Sequence, residues 1–222
     1  MKLLLTSNGV TNDSIATALF KLVGKAARDT SIAFVPTAVL AATGDKSWFV
    51  NDLYNLKKLG LKHLDIVEIS SVPKEVWLPK MRAADVLFFS GGNTAFLMYW
   101  INKSGLGELL NDLLSTRVYA GISAGSIIAS PTIVMSSKKT LPFFAPDELQ
   151  FFNEKGLGLV KFYLRPHLNS PHQPVSAENY LREKALQVPG VIYGIDDQTA
   201  VSVIDGVVEI VTEGNYIILN KK

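Results

Sequence analysis

Short apolar runs that alternate with longer helix-period segments constrain the fold of this chain most strongly. Residues 32–35 and 86–89 are continuously apolar, which is typical of central strands that helices cover on both faces. Strands and helices that alternate along a chain form βα units, which wind into a mostly parallel sheet. The predicted strands cover residues 2–6, 31–36, 64–69, 85–90 and 117–121. We therefore expect an α/β protein with three layers, helices on either side of one sheet.

Polar residues that can cap helices mark the segments between these strands. Asn12 or Asp13 can begin one helix, and Asn93 or Thr94 can begin another that runs through 95–103 and, after a glycine break, 106–116. A further helix carries an apolar stripe that we predict to lie in the core: Trp48, Phe49, Leu53, Leu56 and Leu59.

The last third of the sequence is rich in predicted strands. Residues 131–160 are irregular and proline-rich, and a helix is expected near 176–187. Strands are predicted at 160–164, 190–195, 199–204, 207–212 and 215–220, with a hairpin turn at Asp205-Gly206. Without a repeat or linker, we expect one domain over 1–222, a flavodoxin-like sandwich with a β-rich C-terminal third.

Composition excludes several classes of chemistry and partner. With no cysteine among the 222 residues, the chain can form no disulfide, thiolate nucleophile or cysteine-ligated metal site, and a cytoplasmic location is expected. The first apolar run, residues 3–5, is too short for a signal peptide or a membrane span. Lys and Arg are scattered, with doublets only at 57–58, 138–139 and 221–222. We therefore expect neither nucleic-acid nor membrane binding.

A candidate nucleophile follows the fifth predicted strand. Residues 121–125 read Gly-Ile-Ser-Ala-Gly and lead into a helix-like segment. This is the strand-to-helix context in which a G-x-S-x-G turn exposes a serine hydroxyl at the carboxyl edge of a sheet. Ser123 is therefore predicted to be the nucleophile. The alternative is a tight turn in which Ser123 only caps the helix.

A glycine pair follows the fourth predicted strand, at the same edge of the sheet. Gly91 and Gly92 can turn their backbone N–H groups outward at the start of a helix, where negative charge is stabilised. Together with the amide of Ala124 they predict an oxyanion hole, which is a large term in acyl-transfer catalysis. A phosphate cradle or a plain turn is the alternative.

A serine nucleophile needs a general base, and the chain has three histidines. His63 lies at the amino end of a predicted strand, away from the expected site. His167 and His172 lie in a proline-rich segment, and His167 directly follows a predicted strand. We therefore prefer His167. These two histidines cannot share a helix face and no third ligand is near, so no metal site is predicted.

A carboxylate that orients the histidine is expected at the end of another strand. Asp196 and Asp197 follow the strand predicted at 190–195. Asp197 is preferred, with Asp196 in reserve. Asp147 or Glu148 would serve instead if the acid preceded the histidine in the sequence, as it does in α/β-hydrolases.

Four segments in a fixed order resemble the dipeptidase E-like peptidases, family S51, which have a class I glutamine amidotransferase-like fold. The segments are 88–94 (Phe-Phe-Ser-Gly-Gly-Asn-Thr), 121–126 (Gly-Ile-Ser-Ala-Gly-Ser), 165–167 (Arg-Pro-His) and 194–197 (Gly-Ile-Asp-Asp). The resemblance implies a serine peptidase that needs no cofactor and acts on small peptides. It also implies Ser123 as nucleophile, His167 as base and Asp197 as acid, where the best-known members carry Glu. An amidotransferase would need a thiol at the elbow.

One sequence feature linked to substrate specificity differs from the pattern of that family. The aspartyl dipeptidases carry an Arg after the catalytic His, and residues 170–179 contain none. Arg165 is a candidate substitute and Asn93 a second substrate-binding residue. Two other functions stay open: an α/β-hydrolase-type esterase, and a non-catalytic flavodoxin-like module that binds phosphate or a nucleotide through Gly91-Gly92 and the Ser7-Asn8-Gly9 turn. The sequence leaves the oligomeric state open and is compatible with a homodimer.

Overall fold

A seven-stranded sheet forms the centre of the structure, a computed structural model that describes residues 1–136 and 154–221. Its strand order is β3-β2-β4-β5-β1-β8-β9, and β6, β7 and β10 form a second, three-stranded sheet. The strands are β1 (Lys2–Thr6), β2 (Ser31–Val35), β3 (His63–Ile66), β4 (Val86–Phe89), β5 (Val118–Ile122), β6 (Tyr163–Arg165), β7 (Ile192–Ile195), β8 (Thr199–Ile204), β9 (Val207–Thr212) and β10 (Tyr216–Leu219).

Helices lie in each connection from β1 to β7. They are α1 (Asp13–Val23), α2 (Thr37–Leu40), α3 (Ser47–Lys58), α4 (Lys74–Ala83), α5 (Thr94–Lys103), α6 (Leu106–Leu113), α7 (Ala124–Ile127) and α8 (Glu178–Ala185). Asn12 and Asn93 cap α1 and α5 through side-chain bonds to Ile15 N and Phe96 N. Gly105, in the left-handed conformation at φ 75°, separates α5 from α6.

The first five strands are parallel, so their carboxyl ends lie at one edge of the sheet. The β1–β5 pairing sets Thr6 beside Ile122, and the β4–β5 pairing sets Phe89 beside Gly121. Residues that directly follow β1, β4 and β5 are consequently neighbours at that edge. The strands β8 and β9 extend the sheet beyond β1 in antiparallel orientation.

Apolar side chains fill both faces of the large sheet. Leu3 and Leu5 of β1 pack into one buried cluster, and Leu4 between them packs into the other. Phe89 and Phe88 of β4 divide in the same way. A strand buried on both faces has no polar alternation, which is why its sequence is continuously apolar. The structure confirms the expected three-layer, flavodoxin-like α/β fold.

The structure also changes some expected element boundaries. The third strand ends at Ile66 rather than at residue 69. Beyond its end, the Glu68 carboxylate accepts hydrogen bonds from the Thr37 hydroxyl and the Ser70 amide. The strand predicted at 160–164 is β6, shifted to Tyr163–Arg165 and placed in the small sheet. Asp205 and Gly206 form the expected β8–β9 turn, at φ 49° and 86°. Residues 137–153 of the irregular segment, with the 138–139 doublet, and Lys222 lie outside the described residues. The single domain stays a prediction.

Candidate active site

The turn between β5 and α7 places Ser123 at the carboxyl edge of the sheet. Its backbone is at φ 46° and ψ −101°, an uncommon conformation for a residue with a side chain. Two flanking glycines allow the turn. A Cβ on Gly125 would lie 2.2 Å from Phe89 O, and one on Gly121 would lie 2.6 Å from the Gly125 carbonyl carbon. The residue types in the motif are therefore those that this strained turn requires.

Ser123, His167 and Asp197 meet in one hydrogen-bonded chain. The Ser123 Oγ is 3.0 Å from His167 Nε2, and His167 Nδ1 is 2.7 Å from Asp197 Oδ1. The three residues follow β5 of the large sheet and β6 and β7 of the small sheet. His167 itself has a positive φ of 62°. This arrangement can hold the imidazole in the tautomer that accepts a proton from the serine.

Ser7, at the carboxyl end of β1, joins the chain from the other side. Its hydroxyl donates to Asp197 Oδ1 at 2.6 Å and accepts from the His167 backbone N–H at 2.8 Å. Burial disfavours the ionised form of Asp197, but the hydrogen bond and charge of His167 and the bond from Ser7 outweigh it. The pKa of Asp197 consequently lies below its ordinary value. From the sequence, Ser7 was predicted only as part of a phosphate-binding turn. Its position directly after β1 was nevertheless a signal that it lies at the edge of the sheet where the site is.

The two adjacent aspartates have separate surroundings. Asp196 accepts hydrogen bonds from Gln198 N at 3.0 Å and Thr199 Oγ1 at 2.8 Å, within the turn between β7 and β8. It also accepts from Asn215 N at 2.5 Å, which ties this turn to the connection between β9 and β10. Asp197 alone of the pair contacts His167. The alternative acids Asp147 and Glu148 lie outside the described residues.

Three backbone amides near Ser123 are available to donate hydrogen bonds. Gly91 and Gly92 line the cavity that contains Ser123, and Ala124 begins α7 directly after it. Within residues 1–136 and 154–221, the N–H groups of Gly91, Gly92 and Ala124 have no hydrogen-bond acceptor. Gly92 has a φ of 132°, and a Cβ there would lie 2.2 Å from Ala38 O, so the loop requires glycine. These amides can therefore donate to a bound oxygen.

The other predicted residues have more varied positions. His63 is exposed at the start of β3, and His172 is exposed at the rim of the cavity. Asn93 is buried and uses its side-chain oxygen as the cap of α5.

Arg165 lines the cavity but is 3% exposed, and its guanidinium donates to Ser176 Oγ at 3.0 and 2.8 Å and to Met135 O. Each guanidinium nitrogen of Arg165 therefore already donates a hydrogen bond within the protein.

A cavity of about 330 Å³ surrounds Ser123 and His167. Trp48 and Asp52 of α3 line it as well. The sequence pattern predicted Trp48 as a core residue, but its side chain faces this cavity while Leu56 lies in the core. Asp52 was not predicted to belong to the site. The sequence signal for Asp52 was its position four residues after Trp48, because residues at that spacing lie on the same face of a helix.

Two kinds of feature are absent from the part of the chain that the structure describes. Across 1–136 and 154–221, no group of three His, Cys, Asp or Glu side chains is arranged to hold a metal ion. No helix in those residues is long and apolar enough to cross a membrane.

The fold and the site together define a class: an α/β/α sandwich with a strained serine elbow at the carboxyl edge of its sheet and a histidine–aspartate pair beside the hydroxyl. The sequence model of peptidase family S51 matches residues 3–211. The chain belongs to this family, as its four motifs predicted.

Similar proteins carry related names. The uncharacterized peptidase Lin0382 of Listeria innocua is 29% identical over 143 residues, 63% of this chain and 65% of that protein. Peptidase E of Nostoc sp. is 26% identical over 137 residues, 59% of this chain and 54% of its own length. This chain therefore spans less than two thirds of the curated relatives named here.

Solved structures share the fold over nearly the whole chain. A crystal structure of a candidate peptidase E from Listeria monocytogenes EGD-e has a TM-score of 0.75 at 24% identity and covers 96% of this chain and 98% of its own. A peptidase from an acI-B1 actinobacterium has a TM-score of 0.62 at 19% identity, with 98% and 93% covered. At these identities the likeness establishes the fold alone.

Proposed function

We propose that this protein is a serine peptidase that hydrolyses small peptides through an acyl-enzyme, with Ser123 as nucleophile, His167 as base and Asp197 as acid. The observation that carries the proposal is the continuous chain of contacts from Ser123 Oγ through the His167 ring to Asp197, 3.0 and 2.7 Å long, within one cavity. Membership of peptidase family S51 supports it.

The proposed reaction proceeds in two halves. His167 Nε2 takes the Ser123 proton as Oγ attacks the substrate carbonyl carbon, and the amides of Gly91, Gly92 and Ala124 donate to the developing oxyanion. The imidazolium then gives this proton to the leaving nitrogen as the C–N bond breaks. Water, deprotonated by His167, attacks the acyl ester and releases the acid with restoration of Ser123. No cofactor takes part.

The charge around the cavity weighs against the alternative of a phosphate-binding module. Asp52 and Asp197 both face the space beside the glycine amides, and Arg165 already donates to Ser176 and Met135. An anion bound there would meet two carboxyl groups. The order Ser, His, Asp along the chain also differs from the Ser, acid, His order of α/β-hydrolases, which weighs against an esterase of that class.

The same features limit the proposed substrates and setting. Residues 170–179 contain no Arg, so a preference for an N-terminal aspartyl side chain is not part of the proposal. The cysteine-free composition supports a cytoplasmic location, and the scattered basic residues support a function without nucleic acid.

Labelling with a fluorophosphonate probe tests the proposal. Wild type should be labelled, and Ser123→Ala and His167→Ala should not, whereas Ser115→Ala, a change at an exposed serine, should be labelled like wild type. Against a dipeptide library, Ser123→Ala should fold normally and lose on the order of 10⁴–10⁶ in turnover. Retained turnover in a pure Ser123→Ala sample would contradict the mechanism.

A further inference from the structure

Asp52 is a buried carboxyl group that receives no hydrogen bond from any residue the structure describes. It lies on α3, its side chain is 5% exposed, and its Oδ2 is enclosed without a donor. Within the described residues no hydrogen bond to either of its oxygens is present. Burial, and then the charge of Asp197, raise the pKa of Asp52 to about 7. A carboxyl group left in this state costs stability, so its presence needs a reason other than folding.

The position of Asp52 connects it to the nucleophile. It lines the same cavity as Ser123, and its Oδ1 lies 3.5 Å from where a Cβ on Gly9 would be. The Cδ1 of Ile122, the residue before Ser123, lies 3.2 Å from that same point. The carboxyl group is therefore close to the elbow, behind the turn that follows β1.

Trp48 stands one helical turn before Asp52 and faces the same cavity. Its Cζ3 lies 3.6 Å from the Cβ position of Gly91, and Ser123 Cβ lies 3.5 Å from that position. The indole and Ser123 therefore lie on either side of the space that a methyl group on Gly91 would fill. One face of α3 presents an aromatic ring and a carboxyl group to the substrate space.

An aromatic face beside a carboxylate is the combination that binds an organic cation, since the ring and the charge both attract it. Among the described residues that line the cavity there is no lysine. The one guanidinium there, that of Arg165, donates to Ser176 and Met135. The partner of Asp52 is therefore expected to arrive with the substrate.

We propose that Asp52 and Trp48 form a binding site for the ammonium group of the peptide substrate, beside Ser123. This inference rests on the proposed peptidase function and adds a specificity-determining pair to it. The favoured ligand is the free α-ammonium of the N-terminal residue, because this nitrogen is two bonds from the carbonyl carbon that Ser123 attacks. A cavity of about 330 Å³ suits a dipeptide, in which the two groups are necessarily close.

Binding to a Ser123→Ala background tests the site without turnover. The probes are Ala-Ala and N-acetyl-Ala-Ala, titrated by calorimetry at pH 7.5. We expect Ala-Ala to bind at least about 30-fold more tightly than its acetylated form, the lower end of the loss seen when one partner of a buried ion pair is removed. In Ser123→Ala/Asp52→Asn the ratio should fall to within about threefold of one. Asp52→Ala provides a second variant if the Asn protein does not fold.

Further variants separate the roles of the two residues. Trp48→Leu should reduce the preference for the free amine by a smaller factor, because it removes only the aromatic contact. Asp112→Asn, a matched change at an exposed aspartate of α6, should leave the ratio unchanged. A pair of acetylated peptides, one with Lys and one with norleucine in first position, tests whether a side-chain ammonium is the true ligand. A Lys preference that Asp52→Asn removes would reassign the site to the side chain.

Three results would overturn the inference: equal binding of free and acetylated peptides, an undiminished preference in Asp52→Asn, or no binding of any probe. Failure here is distinct from failure of the proposed function, because fluorophosphonate labelling of wild type reports the reactivity of Ser123 independently of any peptide.

Discussion

The hydroxyl of Ser7 donates a 2.6 Å hydrogen bond to the carboxylate of Asp197, a residue 190 positions later in the chain. The parallel pairing of β1 with β5 explains why Ser7 is available there, since Thr6 is in register with Ile122 and the next residues are Ser7 and Ser123. The Ser7 hydroxyl also accepts from the His167 amide, so one side chain holds both His167 and Asp197 in place.

Ser7→Ala should lower kcat by about tenfold to a hundredfold with little change in KM, because Ser7 positions His167 and Asp197 without touching the substrate. Loss of buried hydrogen bonds of this kind costs about 1–3 kcal/mol. Steady-state kinetics and the rate of fluorophosphonate labelling should fall together. Ser115→Ala is the control, and a selective rise in KM would contradict the positioning role.

Asp197→Asn and Asp196→Asn form a matched pair at adjacent positions. Asp197→Asn removes the charge that orients and stabilises His167, so kcat should fall by about 10⁴. Asp196→Asn weakens the turn that Gln198, Thr199 and Asn215 close, so it should cost about 1–3 kcal/mol of unfolding free energy with activity largely kept. Kinetics and urea unfolding measure both effects. The reverse order of activities would assign the acid to Asp196.

Gly91→Ala and Gly92→Ala should separate activity from folding. A Cβ on Gly92 would lie 2.2 Å from Ala38 O at a φ of 132°, so this variant should unfold at a markedly lower temperature. A Cβ on Gly91 meets only ordinary contacts, 3.5 Å from Ser123 Cβ and 3.6 Å from Trp48 Cζ3. Gly91→Ala should therefore keep its Tm and lose at least about tenfold in kcat/KM, since the methyl group narrows the substrate space. A large drop in the Tm of Gly91→Ala would contradict this expectation.

The stability of the protein should depend on the ionisation of Asp52. Its pKa is raised from 3.8 to about 7, first by burial and then by the charge of Asp197. The folded state therefore holds this proton to higher pH than the unfolded state does. Stability is greatest below about pH 4 for this group and is lost as the pH rises to about 7, by a total of about 4 kcal/mol.

Urea unfolding of wild type and Asp52→Asn between pH 5 and pH 8 isolates this contribution. The other titratable groups that line the cavity, Arg165, His167, His172 and Asp197, are the same in both proteins. Relative to Asp52→Asn, wild type should lose stability over this range. Parallel pH profiles would show that Asp52 is not ionising in a buried site.

Much of the fold was predictable because its signals are local. The central residues of strands β1, β2, β4 and β5 are apolar since both faces of the sheet are covered, and the predicted bounds of these strands agree with the structure within one residue. The third strand was predicted too long: it ends at Ile66, and the Glu68 side chain beyond it accepts a hydrogen bond from Thr37, in another connection. The small sheet could not be predicted either, since its central strand β7 pairs with β6 on one side and β10 on the other, segments far apart in sequence.

The site divides in the same way. The sequence by itself determined where the elbow lies. The turn at Ser123, with φ 46°, has no room for a Cβ at positions 121 and 125, and the glycines there mark it. The sequence also narrowed the candidate base to two histidines and the candidate acid to a few carboxylates. Only the tertiary structure decided that Asp197 rather than Asp196 contacts His167 and that Ser7 bonds to both. It also decided that Asp52 and Trp48 line the cavity that contains Ser123. Those contacts depend on sheet register and on the packing of α3. Both arise from the summed interactions of distant segments, so the local signals at Ser7 and Asp52 do not by themselves show which residues meet.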